Sequence, residues 1–140
     1  MEKITSFTIN HLDHNAGIYL SRVDENVYTY DVRICKPYAD ELLTNAEMHS
    51  LEHLLATVLR NGEYKDKVVY VGPMGCQTGF YVLFFGVKLQ EATKVITDAF
   101  KLISSYEGEM PGNSKPECGN CLNLSVDLAK SVAKTFLSRI

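Results

Sequence analysis

Thr44-Asn45-Ala46-Glu47-Met48-His49-Ser50-Leu51-Glu52-His53-Leu54-Leu55-Ala56-Thr57-Val58-Leu59-Arg60-Asn61-Gly62 is the stretch on which the fold turns. Thr44 and Glu47 stand in the spacing of a capping box, where each side chain satisfies a backbone N–H that the first helical turn leaves unpaired. Gly62 falls where helices commonly stop. These signals predict a helix from Asn45 to Asn61. At about 100° per residue, Met48, Leu51, Leu54, Leu55, Val58 and Leu59 fill one side, which needs an apolar partner. His49, Glu52 and His53 fall within about 100° of arc on the other side. One face suits a core and the other suits chemistry.

The flanking segments say what the apolar side packs against. Asn26 to Ile34 reads as a strand, because Val27, Tyr28, Thr29, Tyr30, Val32 and Ile34 are β-branched, aromatic or alternating, and Ser6 to Asn10 also reads as extended. Lys36-Pro37 closes the longer strand, since proline cannot donate to a ladder. Lys67 to Val71 and Phe80 to Val87 are two further strands. Between them, the glycines and proline of Gly72-Pro73-Met74-Gly75-Cys76-Gln77-Thr78-Gly79 imply a tight turn.

Gln90 to Tyr106 repeats apolar residues at helical spacing up to Gly108, and Glu109 to Asn120 is a loop. A last helix is expected from Ser125 to Ser138. Strands with segregated helices give an α+β fold: an antiparallel β-sheet with helices packed on one face, in a single compact domain over residues 1–140. Tyr28, Tyr30, Phe80, Tyr81, Phe84 and Phe85 read as sheet packing rather than as a cofactor box.

Composition narrows the function. The 140 residues carry 14 Lys and Arg against 17 Asp and Glu, a formal charge of −3, with 46% hydrophobic and 22% charged residues. A chain of this size buries about 68 to 70% of its unfolded surface, enough for a core without disulfides. The mildly acidic balance and the lack of a Lys/Arg block argue against nucleic acid or an anionic membrane as partner. No apolar run approaches the roughly 20 residues of a spanning helix, and the first residues carry no export signal, so a cytoplasmic protein with reduced thiols is expected. No repeat or low-complexity tract interrupts the chain.

Imidazoles at i and i+4 can reach one metal ion, with Glu52 beside it. His49-x-x-Glu52-His53 is the reverse of the metallopeptidase H-E-x-x-H order. Two solvent-facing histidines with Glu52 as charge partner would give the same spacing. A catalytic metal site needs a third protein ligand and an open position. Cys118, in the Glu117-Cys118-Gly119-Asn120-Cys121 loop, is a candidate; with Cys121 it also forms a C-x-x-C pair that suits a closed structural zinc site or a redox couple. Cys76, in the strand-connecting turn, can present its sulfur at a cleft edge or be a small buried hydrophobe. Arg33 is the kind of cation that would favour its thiolate, though taken alone it reads as a surface charge. His14 reads as an exposed loop residue and Cys35 as a packed apolar side chain.

Five segments decide between these readings: Ser6-Phe7 with His11, Asp31-Val32-Arg33-Ile34-Cys35-Lys36-Pro37, His49 to Ala56, Pro73-Met74-Gly75-Cys76-Gln77-Thr78-Gly79-Phe80, and Glu117-Cys118-Gly119-Asn120. In order and approximate spacing they resemble the S-ribosylhomocysteine lyase (LuxS) family across most of the chain. The resemblance implies a homodimeric cytoplasmic enzyme with active sites at the interface, splitting S-ribosylhomocysteine into homocysteine and 4,5-dihydroxy-2,3-pentanedione, the autoinducer-2 precursor. It implies one Fe(II) per subunit, replaceable by Zn or Co, on His49, His53 and Cys118. Donor chemistry alone would favour zinc.

The resemblance further implies that Cys76 and Glu52 are the acid/base groups, that Arg33 favours the Cys76 thiolate, and that Ser6 and His11 position substrate. The sequence departs from the family pattern at Lys36, Tyr38, Cys121 and Leu122-Asn123-Leu124, and is short at its C-terminus, while the metal set and Cys76 are intact. Two other classes compete. A small metal-dependent peptidase would use Glu52 to activate water but leaves Cys76 without a role, and a structural zinc or thiol-redox module would use Cys118 and Cys121.

Overall fold

The computed structural model describes residues 1–140. Four strands, β1 (Gly17–Asp24), β2 (Val27–Arg33), β3 (Val68–Pro73) and β4 (Gly79–Phe85), form one sheet in the order β1-β2-β4-β3, with every neighbouring pair antiparallel. Three helices, α1 (Asn45–Arg60), α2 (Leu89–Ser104) and α3 (Val126–Arg139), pack on one face. The expected α+β architecture is the one observed.

Alternation along the strands makes the two faces of the sheet different. Tyr30, Val32, Phe80, Val82 and Phe84 face the helices and join one buried cluster with Leu51, Leu54, Leu55, Ile96, Phe100 and Phe136. Each such side chain contributes about 1.5–3 kcal/mol of burial free energy. Residues one step along point the other way, so Asp31, paired across the ladder with Tyr19 and Tyr81, stands on the outer face. Thr29 is paired with Leu83 on that face, and Leu83 with Tyr70.

The α1 prediction is accurate to a residue. The Thr44 hydroxyl accepts from the Glu47 N–H and the Glu47 carboxylate accepts from the Thr44 N–H, closing the capping box. Ser125 caps α3 in the same way by accepting from Leu128 N–H.

Three expectations fail at the front of the chain. Ser6 to Asn10 is not extended: single 3-10 turns occupy Thr5–Phe7 and His11–Asp13, the second started by Asn10, whose side chain accepts from Leu12 N–H. The strand β1 has no counterpart in the sequence reading, because Gly17-Ile18-Tyr19-Leu20-Ser21-Arg22 is an edge strand with a register shift between Leu20 and Arg22 that breaks its alternation. His14 is not an exposed loop residue. It is 7% exposed, because its ring lies on Tyr19 and its Nε2–H donates to the buried Asp31 carboxylate.

The β3–β4 turn is as tight as its glycines suggest, but its left-handed residue is Gln77, at φ 64°, rather than a glycine. Gly79 serves close approach instead: a Cβ there would collide with the Val32 carbonyl. Leu43 N–H donates to the Gln77 carbonyl at 3.0 Å and the Gln77 side-chain amide donates to the Leu43 carbonyl at 2.9 Å, tying the turn to the chain just before α1.

Candidate metal centre and thiol site

His49 and His53 stand one helical turn apart on the exposed side of α1, with ring centroids 4.7 Å apart and planes at 89°. The loop before α3 folds back over them. Ser125 N–H donates to the Ser50 hydroxyl at 2.9 Å, anchoring the end of that loop to α1, and Cys118 N–H donates to the Ser114 carbonyl. Cys118 Sγ thereby lies 3.4 Å from His49 Nε2 and 3.7 Å from His53 Nε2. All three donor atoms fall within 4.8 Å of one another. Metal–sulfur and metal–nitrogen bonds of about 2.3 and 2.0–2.1 Å at a tetrahedral angle would set sulfur and nitrogen about 3.6 Å apart. The spacing fits one ion.

The second nitrogen of each ring strengthens the fit. His49 Nδ1–H donates to the Asn123 side-chain carbonyl at 2.7 Å, and His53 Nδ1–H donates to the Pro111 carbonyl at 2.8 Å. The Asn123 amide nitrogen in turn donates to the Asn45 side chain at 2.7 Å, which turns its oxygen toward the histidine. Because these acceptors hold the proton on each Nδ1, each Nε2 offers its lone pair to a metal. Gly112 is required beside His53: at φ +70°, with a Cβ position 3.0 Å from His53 Nδ1, no other residue is accommodated without displacing the ring. Cys121 is not in the donor cluster, which consists of His49, His53 and Cys118. Glu52, half-buried, shares the face with both histidines.

A different set of side chains forms on the outer face of the sheet. Arg33, expected to read as a surface cation when taken alone, is 2% exposed, and Asp31 is 0% exposed. Arg33 Nη2 and Nε donate to the two Asp31 oxygens at 2.6 and 3.2 Å. The same carboxylate accepts from His14 at 3.0 Å. Arg33 Nη1 donates to the Thr78 hydroxyl at 2.6 Å and points at Cys76 Sγ from 3.9 Å. Cys76 itself is exposed, so the pairing of a cation with an accessible thiol read from the sequence is what the fold assembles.

Ser6 and His11, the other two residues singled out in the sequence, lie near this second set. The His11 ring lies 6.2 Å from that of His14, and His11 Nδ1–H donates to the Ile9 carbonyl. Ser6 lines a cavity of about 360 Å³ with Tyr81, Thr29, Leu83 and Tyr70. Burial, reinforced by the Asp31 charge, pushes the Tyr81 hydroxyl pKa up, while Arg33 and Ser6 oppose the shift. Cys35 is buried, as expected, and its thiol pKa is pushed up by that burial.

Within one chain, then, His49, Glu52, His53 and Cys118 stand with the helix layer, whereas Ser6, His11, Arg33 and Cys76 stand with the outer sheet face. Sequence reasoning missed Asn123, the Pro111 carbonyl, Asp31, His14 and Thr78. Only Asp31 carried a local signal, since it lies two residues before Arg33 on one strand face.

Comparisons with known proteins give the family. A family profile described as S-Ribosylhomocysteinase (LuxS) matches residues 4–140. The S-ribosylhomocysteine lyase of Clostridium beijerinckii is 44% identical over an alignment covering 100% of this chain and 92% of the relative. That of Finegoldia magna is also 44% identical with the same coverage, and that of Porphyromonas gingivalis is 41% identical, again over 100% and 92%. With a match over nearly its whole length and relatives well above 30% identity, the chain belongs to the S-ribosylhomocysteinase (LuxS) family.

Proposed function

We propose that this chain is a metal-dependent carbon–sulfur lyase that cleaves S-ribosylhomocysteine to homocysteine and 4,5-dihydroxy-2,3-pentanedione. The observation that carries the reading is the meeting of His49, His53 and Cys118, with both Nε2 atoms presented, in a chain whose relatives bear that activity in their names. The same three residues would hold one divalent ion, Fe(II) in our reading, with Zn or Co able to replace it. When bound, such an ion supplies Lewis acidity that stabilises negative charge on a substrate oxygen.

The substrate's thioether is a poor leaving group until a carbonyl lies two carbons from the sulfur-bearing carbon. The sugar carbonyl must therefore migrate, by removal of a proton from one carbon and its return to the next. Cys76 is the group we assign to this shuttle, as an accessible thiol beside the Arg33 guanidinium. Glu52 is the second acid/base. It removes the proton on the carbon between the carbonyl and the C–S bond, and the electron pair expels homocysteine as its thiolate. Ser6 and His11 position the sugar.

A homodimer with active sites at the interface is part of the same proposal. The turn bearing Cys76 is hydrogen-bonded to Leu43, two residues before α1, so the thiol stands toward the end of the molecule where the His49-bearing first turns of α1 begin. The outer face exposes Tyr70 at 55% and Phe85 at 46%, with Phe7 at 68% nearby. A second copy would cover these rings and bring each thiol to the metal cluster of the other chain. A cytoplasmic location suits four cysteines that form no disulfide.

Anaerobic protein reconstituted with Fe(II) or Co(II) and given S-ribosylhomocysteine should release a thiol, read with a thiol reagent. Metal-replete dimer that gives no thiol above background would defeat the assignment.

A further inference from the structure

Arg33 has no acceptor atoms, so wherever it meets Thr78 it must be the donor. At 2.6 Å its Nη1–H occupies a lone pair of the Thr78 hydroxyl, and Thr78 Oγ1 also lies 3.0 Å from Cys76 Sγ. The hydroxyl proton is free to rotate away from the guanidinium toward the sulfur, and once Cys76 is a thiolate, which can only accept, the hydroxyl is the donor of this contact. We propose that Thr78 is a positioning residue for the reaction, delivering an O–H hydrogen bond that holds and favours the Cys76 thiolate. The inference rests on the assignment of Cys76 as the proton-shuttling group.

The geometry behind Thr78 is fixed from several directions. Its side chain is 3% exposed, and its carbonyl accepts from both Ile34 N–H and Cys35 N–H at 2.9 Å, so the backbone is held without help from the hydroxyl. Arg33 can aim Nη1 at Thr78 because Asp31 grips its other two donors, and Asp31 is held by His14. Arg33 is itself 3.9 Å from the sulfur, beyond a strong hydrogen bond, so it acts on the thiol in part by orienting a hydroxyl that is 0.9 Å closer. Within one chain the charged and titratable groups around the sulfur are Arg33 and Asp31 on β2, His14 ahead of β1, and Tyr81 on β4, and in the proposed dimer the His/His/Cys cluster and Glu52 of a second copy would join them.

The test is the pH profile of Cys76 alkylation by iodoacetamide in metal-loaded protein, resolved by peptide mass spectrometry from the other three cysteines. Thr78→Val keeps the branched shape and loses the hydroxyl, and Thr78→Ser restores the hydroxyl. We expect Thr78→Val to move the midpoint to higher pH and to slow alkylation near neutrality about three- to tenfold, with Thr78→Ser close to wild type. Three profiles that overlay, or a Thr78→Ser profile that follows Thr78→Val, would overturn the inference. Thiol release by Cys76→Ala is measured in parallel. Activity surviving there would remove the assigned role of Cys76, while the alkylation profiles still decide whether Thr78 controls its sulfur.

Discussion

The His/His/Cys cluster and the Arg33–Cys76 set are built by opposite strategies. His49 and His53 owe their spacing to a single helical turn, and only Cys118 arrives from far along the chain. Arg33, by contrast, is held by Asp31, itself held by His14, and meets Thr78 and Cys76, so three separate segments build this set. The first arrangement sits on a half-exposed helix face, with its precision supplied by two Nδ1 hydrogen bonds. The second buries a charge and therefore commits the fold to satisfying it. Losing a group from the cluster should cost metal, and losing one from the buried network should cost stability.

Four changes would sharpen or break that contrast. The largest effect is expected from His49→Ala, which should leave folded protein with essentially no bound metal by elemental analysis; full occupancy would show that the cluster is not the site. Asp31→Ala should come next, lowering the free energy of unfolding in urea by about 3–5 kcal/mol because Arg33 is left charged and buried without its partner. A loss below about 1 kcal/mol would mean that water reaches the guanidinium.

Asn123→Ala removes the acceptor for His49 Nδ1–H and should weaken metal binding about 10- to 100-fold in chelator competition, with little change in unfolding. The smallest effect near neutral pH belongs to the helix-facing side of the sheet. Tyr30, whose hydroxyl donates to the Val87 carbonyl, has its pKa pushed up to about 12 by burial first, with Tyr28 and Glu91 adding. The folded state thus keeps a proton that the unfolded chain releases near its ordinary value of 10.0. Stability should be flat below that pH and fall as the pH rises through about 12, and Tyr30→Phe should flatten the alkaline limb of a melting curve series.

Legibility in the sequence follows the same division. Helix α1, its cap and its histidine pair were readable because each signal is confined to a few residues and repeats with the helical period. Cys118 and Cys76 stand out from their loop and turn, but only motif order separates their candidate roles from the alternatives, since spacing alone allows a closed Cys118/Cys121 site. Strand β1 was invisible because a register shift interrupts its alternation at the sheet edge. His14 was misjudged because its burial depends on Asp31, 17 residues away. Asn123 fell within a stretch that departs from the family pattern, and nothing local indicates that its amide would face a histidine 74 residues earlier.

The claim that the two half-sites meet across a dimer is tested most directly by mixing two inactive variants. His49→Ala lacks the metal but keeps the thiol, and Cys76→Ala keeps the metal but lacks the thiol. Unfolded together and refolded with metal, they should regain thiol release from S-ribosylhomocysteine, up to roughly half the wild-type specific activity in each mixed dimer, because one of its two sites is then intact. Mixed dimers that form and stay inactive would contradict the account, placing the thiol and the metal of each site in the same chain.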